Sequence, residues 1–226
     1  MGQNIVLKAA DGHELDAYRA DPAGAPLGGV VVVQEIFGVN SHIRSVCDRT
    51  AELGYLAIAP ALFDRVEKNF ESGYSPEEIE HARGFIPKIA PEDALADVSA
   101  AVEAARVAGP VAVMGFCLGG SVAFLSATRL DGLAAAIGYY GGWIVRHTDE
   151  VPKCPTQLHF GSEDTGIPLS DVDKIRAARP DCDIHVYPGA QHGFHCDERA
   201  SFHQQAAMAA WARTNVWLDR HLARKS

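Results

Sequence analysis

The chain has 226 residues, 47% hydrophobic and 22% charged, a balance that suits one soluble α/β-sized domain over residues 1–226. Its formal net charge of −9 argues against nucleic acid or an anionic membrane surface as a partner. The five cysteines, Cys47, Cys117, Cys154, Cys182 and Cys196, are odd in number and scattered, which fits neither a disulfide framework nor a paired metal motif and points to a reducing cytoplasm.

The first residues, Met1 to Val6, hold no apolar signal core and no Ser or Thr at position 6 for myristoylation, and no apolar run reaches membrane-spanning length. Asn4–Lys8 and Glu14–Arg19 alternate around Asp11-Gly12, which predicts an N-terminal β-hairpin. Residues 29–34 form a continuous valine run, the signature of a strand covered on both faces. Ser41 is placed to cap a helix ending near Gly54, and Tyr55–Ala59 predicts another short strand. Pro60 to Ser75 reads as irregular. Ser75-Pro76-Glu77-Glu78 is a capping box with proline at the first helical position. Glu92–Ala108 predicts an alanine-rich helix, and Ala134–Tyr139, Thr156–Phe160 and Asp183–Tyr187 predict three strands. Helical segments are expected at Leu169–Ala178 and Phe202–Leu222. Strand–helix alternation of this kind predicts an α/β fold, a mostly parallel central sheet with helices on both faces, with any site at the C-terminal strand edges.

The densest signal is the run from Val111 to Gly120. An apolar strand feeds Gly115-Phe116-Cys117-Leu118-Gly119, and a helical segment (Ser121–Arg129) follows. This is a strand–turn–helix elbow that presents its central side chain on a tight turn, here with cysteine in the place of serine. Gly115 and Gly119 supply the room the turn needs. Leu118 offers a backbone N–H at a helix start, where donors are unpaired and the dipole favours negative charge. A free cysteine is also often a buried, inert residue, so its partners matter.

Asp164 follows the strand ending at Phe160, and His192 follows the strand ending at Tyr187. Nucleophile, acid and histidine in that chain order match the α/β-hydrolase arrangement. Cys117 would attack a carbonyl, His192 would take and return its proton, and Asp164 would fix the imidazole tautomer. Glu163 and Asp171 are alternative acids, and His195, His185 and His203 alternative bases. His192, His195 and Cys196 could also be metal ligands, but they match no zinc spacing with a second ligand pair, so no metal is expected.

Glu35 ends the valine strand in Gln34-Glu35-Ile36-Phe37-Gly38. A carboxylate there is costly without a partner. Set beside Cys117, its negative charge would favour the protonated thiol, and substrate displacing it would free His192 to act. Glu35→Ala is then expected to speed alkylation of Cys117 without substrate. The Ile36 and Leu118 N–H groups are the candidate oxyanion hole.

These segments, with Tyr139-Tyr140-Gly141 and Gly189-Ala190-Gln191-His192-Gly193-Phe194, resemble the dienelactone hydrolase family (carboxymethylenebutenolidases) in order and over nearly the whole chain. The resemblance implies an α/β-hydrolase fold, a Cys117–His192–Asp164 triad, the Glu35 role above, a monomer without cofactor, and an unsaturated lactone as substrate. Well-known members of the family carry a carboxylate-binding arginine four residues after the histidine. That position is Cys196 here, and Arg199 lies three further on. Arg65, His81 and Arg83 are candidates for a second anion contact, each also readable as a surface charge. Phe37, Phe116, Tyr140, Trp143 and Phe194 are candidates for the acyl pocket. The expected partner is a small ester or lactone, with an anionic one favoured by the resemblance. The competing readings are a general carboxylesterase or thioesterase, and a non-hydrolytic thiol redox or binding protein.

Overall fold

The computed structural model describes residues 2–222. The hairpin forms as expected from β1 (Gln3–Lys8) and β2 (Glu14–Ala20), antiparallel with Leu7 opposite Leu15. Its turn uses Gly12 at φ +90°, a left-handed conformation open to glycine, and Asp11 accepts from the His13 N–H at 3.0 Å. β2 then pairs antiparallel with β4 (Leu56–Pro60).

The remaining strands are parallel: β3 (Gly29–Val33), β4, β5 (Val111–Phe116), β6 (Ala135–Tyr139), β7 (Thr156–Gly161) and β8 (Asp183–Tyr187). All eight strands make one sheet in the order β1-β2-β4-β3-β5-β6-β7-β8. The valine run is continuous because both faces of β3 are covered. Val30 and Val32 join one core cluster, Val31 and Val33 the other. Burying each such side chain stabilises the fold by about 1.5–3 kcal/mol.

Helices lie on both faces. α1 (Ser41–Glu52), α5 (Leu169–Ala178) and α6 (Gln204–Leu222) contribute Ile43, Val46, Ile175 and Leu218 to the first cluster. α2 (Pro76–Arg83), α3 (Pro91–Ala105) and the start of α4 (Leu118–Arg129) contribute Ala82, Val98, Val102 and Val122 to the second. The capping box of α2 is complete, with Glu78 and Ser75 exchanging bonds. The cap of α1 differs from expectation. Asn40 accepts from the Ile43 N–H at 3.3 Å, while Ser41 begins the helix and donates to Glu198. The long helix after Pro91 stops at Ala105, and residues 106–108 tighten into a 3₁₀ turn before Gly109.

Candidate active site

β5 delivers Cys117 at φ +54°, ψ −113°, a strained turn that a non-glycine residue adopts only when its surroundings enforce it. The Cys117 N–H donates to the Tyr139 carbonyl at 3.0 Å, and the Gly119 N–H to the Gln34 carbonyl at 3.0 Å, so the turn is locked to the ends of β6 and β3. The glycines are required by close approach. A Cβ on Gly115 would lie 1.9 Å from the Gly119 carbonyl oxygen, and one on Gly119 would lie 2.2 Å from that of Val33. Both obstacles are backbone, so nothing rotates aside. Gly119→Ala is expected to destabilise the chain at the upper end of the ~1–3 kcal/mol typical of overpacking, read by urea unfolding. A change below about 0.5 kcal/mol would show that the elbow adapts.

The three residues singled out from distant segments meet at the C-terminal edge of the sheet. His192 Nε2 lies 3.1 Å from Cys117 Sγ, and His192 Nδ1 lies 2.7 Å from Asp164 Oδ2. The other carboxylate oxygen of Asp164 accepts from the N–H groups of Gly166 and Ile167 at 2.8 and 3.1 Å, which fixes the acid in place. Glu163, Asp171, His185, His195 and His203 take no part in this chain of contacts. His195 is buried against Phe116, Tyr139 and Trp211, and Asp171 pairs with Lys174. The Cys117 side chain is half-buried and opens into a cleft of about 120 Å³. Ile36, Ile86, Leu118, Trp143 and Ile167 line it with Cys117 and His192. Ile36 and Leu118, the two residues expected from sequence as oxyanion donors, line the same cleft as Cys117.

Burial opposes a charge on His192, but the Cys117 sulfur and the Asp164 carboxylate outweigh it and hold the imidazole up at about 10. An unfolded histidine titrates near 6.5, so the stability this interaction contributes is fully present below about pH 6.5 and is lost as pH rises from there to about 10. The ring-proton NMR signal of His192 should stay at its protonated position up to about pH 9 and move only above it. In Cys117→Ala, with the largest raising interaction gone, it should titrate at lower pH. A wild-type transition near pH 6.5 would contradict the arrangement.

Glu35 sits at the mouth of β3, 1% exposed. Its partner is not the thiol. Arg199 Nη1 donates to Glu35 Oε1 at 3.0 Å, while the sulfur is engaged by His192. Arg199 reaches Glu35 because successive turns at Gly193–Cys196 and Cys196–Arg199 fold the loop back on itself. Its guanidinium stacks over Phe37 and Tyr74, in the space that a side chain on Gly193 would fill. Beside this pair, Cys196 Sγ donates to the Tyr74 hydroxyl at 3.2 Å, and Asn40 Nδ2 donates to the same oxygen at 2.9 Å. Burial and the Glu35 carboxylate push the Cys196 thiol up to about 12.

Several expected substrate contacts lie elsewhere. His81 and Arg83 flank Ala82, the one buried residue of α2, and so point outward; Arg83 pairs with Glu80 at 3.6 Å. Arg65 is held by Asp97, Asp93 and Asp11. Phe194 and Phe116 are fully buried core, packed on Tyr139. Phe37 is 1% exposed and serves Arg199 rather than the cleft. Tyr140 is also buried, at φ +39°, but its ring lies 5.1 Å from that of His192 and backs the imidazole. Of the aromatic candidates only Trp143 lines the cleft. Ile86, Ser121, Gly142, Gly166 and Ile167 line it without having been singled out, because apolar and small loop residues carry no chemical signature. All five cysteines are free thiols. Among the described residues, no helix is long and apolar enough to cross a membrane.

The dienelactone hydrolase family model matches residues 15–222. A Synechocystis protein named "Putative carboxymethylenebutenolidase" is 38% identical, covering 92% of this chain and 93% of its own length. A like-named Yersinia pestis protein is 36% identical, covering 94% and 86%. The crystal structure of a Klebsiella pneumoniae protein described as a "Putative Dienelactone Hydrolase" superposes with a TM-score of 0.84 at 32% identity, covering 96% of this chain and 99% of that one. Matched along nearly its full length in both sequence and fold, the chain belongs to the dienelactone hydrolase family and is a hydrolase of that type.

Proposed function

We propose that this hydrolase opens a small ester or lactone by covalent catalysis, with Cys117 as nucleophile, His192 as acid and base, and Asp164 as orienting acid. The observation that carries the reading is the unbroken path of contacts from sulfur through imidazole to carboxylate, 3.1 and 2.7 Å long, opening into a cleft. Sγ attacks the substrate carbonyl carbon, and the carbonyl π pair moves onto oxygen. The Ile36 and Leu118 N–H groups face that oxyanion; removing one such donor typically costs about 100- to 1000-fold. Collapse breaks the C–O bond to the leaving group, which takes the proton from His192 Nε2. In a lactone the leaving oxygen stays on the same molecule. His192 then deprotonates water, which attacks the thioester, breaks the C–S bond and returns the sulfur. A cleft of about 120 Å³ suits an acyl group about the size of a small ring, since a cavity of ~150 Å³ holds benzene.

The names of the relatives support a dienelactone-type substrate, which carries a carboxylate. One observation favours the neutral-ester alternative: of the cationic candidates only Arg199 stands near the site, and it is already paired with Glu35. An anionic substrate must rearrange that pair; a neutral aryl ester need not. Two measurements test the reading. Mass spectrometry after quenching with an aryl ester should find the acyl group on the peptide holding Cys117, released by hydroxylamine. Acylation at another residue overturns the proposed nucleophile. Turnover of an anionic dienelactone, a neutral aryl ester and a thioester then ranks the substrate classes.

A further inference from the structure

Behind the Cys117 cleft, three donors of different kinds converge. Glu35 at the end of β3, His42 in the first turn of α1 and Cys196 in the loop after His192 place a carboxylate oxygen, an imidazole nitrogen and a sulfur within 4.8 Å of one another. All three side chains are buried, and His42 has no exposed surface. The cluster is under-satisfied as it stands. Glu35 Oε2 is buried with no hydrogen-bond partner, and so are both ring nitrogens of His42. Orphaned polar atoms of this kind are costly in a folded interior and call for an occupant.

We propose that Glu35, His42 and Cys196 form a binding site for a divalent transition cation of the zinc class. One oxygen, one nitrogen and one sulfur donor is a set that selects zinc or cobalt over magnesium or calcium. A tetrahedral zinc holds such ligands roughly 3.3–3.8 Å apart, so side-chain adjustments of up to about 1.5 Å complete the site. The charges match: the Cys196 thiolate, the Glu35 carboxylate and the Asp197 carboxylate beside His42 balance the ion and the Arg199 cation, while Arg199 keeps Glu35 Oε1 and leaves Oε2 to the metal. Asp197 lies 3.7 Å from His42 Nδ1, so the metal takes Nε2 in the common carboxylate–histidine–metal order. Tyr74 completes the surroundings. It now accepts from the Cys196 S–H, and its hydroxyl turns to donate to the sulfur once the S–H bond breaks, the S–metal bond forms and the proton leaves to solvent. The sequence expectation of no metal weighed Cys196 against His195 and His192; residues 35 and 42 lie on other elements and give no spacing signal. The site would fasten the loop bearing His192 to β3 and α1.

The test uses the full chain carrying Cys117→Ala, because the Cys117–His192 pair would itself compete for a soft cation. Metal-free reduced protein is titrated with cobalt(II). The expected result is a thiolate-to-cobalt charge-transfer band that saturates at one ion per chain and vanishes when Cys196→Ser is added. Absence of the band, or its survival without Cys196, overturns the proposal. Crystals of the Cys117→Ala chain soaked in zinc give a second readout that no fold-damaging variant can confuse. The expected anomalous peak lies between Glu35, His42 and Cys196, and a peak elsewhere, or none, rejects the site. Neither measurement depends on hydrolytic turnover, so its outcome stands apart from the proposed reaction.

Discussion

Cys117→Ala is expected to lower kcat/KM toward every ester or lactone by on the order of 10,000-fold or more, about 5.5 kcal/mol of transition-state stabilisation. The reason is geometric. In the proposed reaction His192 and Asp164 do nothing to a carbonyl by themselves; they act through the sulfur 3.1 Å from Nε2. His192→Ala should cost a similar factor, and the double variant little more than either single one, because groups that act as a unit are strongly non-additive. Asp164→Asn should fall by roughly the same order, since an amide in place of Oδ2 disturbs the tautomer that Nδ1 requires. Initial rates on a chromogenic aryl ester check all four, with circular dichroism to show an intact fold. If the two single losses multiply in the double variant, the residues work independently and the triad reading fails.

Arg199→Met should be among the most damaging single changes to stability. It strips the partner from a carboxylate that is 1% exposed and leaves a buried uncompensated charge. Breaking a buried ion pair from one side costs about 3–5 kcal/mol. For a chain of this size that is roughly 6–20 °C in Tm. Replacing both partners, as in Glu35→Gln with Arg199→Met, should recover most of the loss, because no buried charge is then stranded. Urea unfolding of the two variants separates the cases. A cost under about 1 kcal/mol for the single change would place the pair with solvent-screened surface bridges and remove the case for Glu35 as a buried anion.

The fold, and the convergence of Cys117, His192 and Asp164, are legible in the sequence because each part carries its own local signal. The valine run needs two covered faces, the glycines around Cys117 need a tight turn, and Asp164 and His192 each follow a strand. What sequence could not supply was the direction in which side chains off those strands point. His81 and Arg83 looked available for an anion, yet the packing of Ala82 turns both outward. Arg65 reads as free in the sequence, and Asp93 and Asp97 of α3 hold it together with Asp11 of the hairpin turn. Phe194 stands two residues after His192 in sequence and packs in the core against Tyr139, Tyr140 and Tyr187. The sequence says that a carboxylate at the end of β3 needs a partner and offers Cys117 as its neighbour; the structure pairs it with Arg199. A loop that doubles back twice leaves no periodic trace by which to locate Arg199 beside it. Asn40 and Ser41 are both good caps, and only backbone geometry chooses between them.

His192, Cys196 and Arg199 all ride on one helix-free connection between β8 and α6, beyond the half-buried edge strand β8. It is held by the Gly189 N–H on Ser162 Oγ, the Glu163 N–H on the Ala190 carbonyl and the His203 N–H on the Phe194 carbonyl, and by the side-chain contacts His192–Asp164, Cys196–Tyr74 and Arg199–Glu35. Partial detachment of that connection would carry His192 away from Cys117 while leaving all eight strands paired. Heat should therefore silence the enzyme before the molecule melts, and the silencing should reverse on cooling.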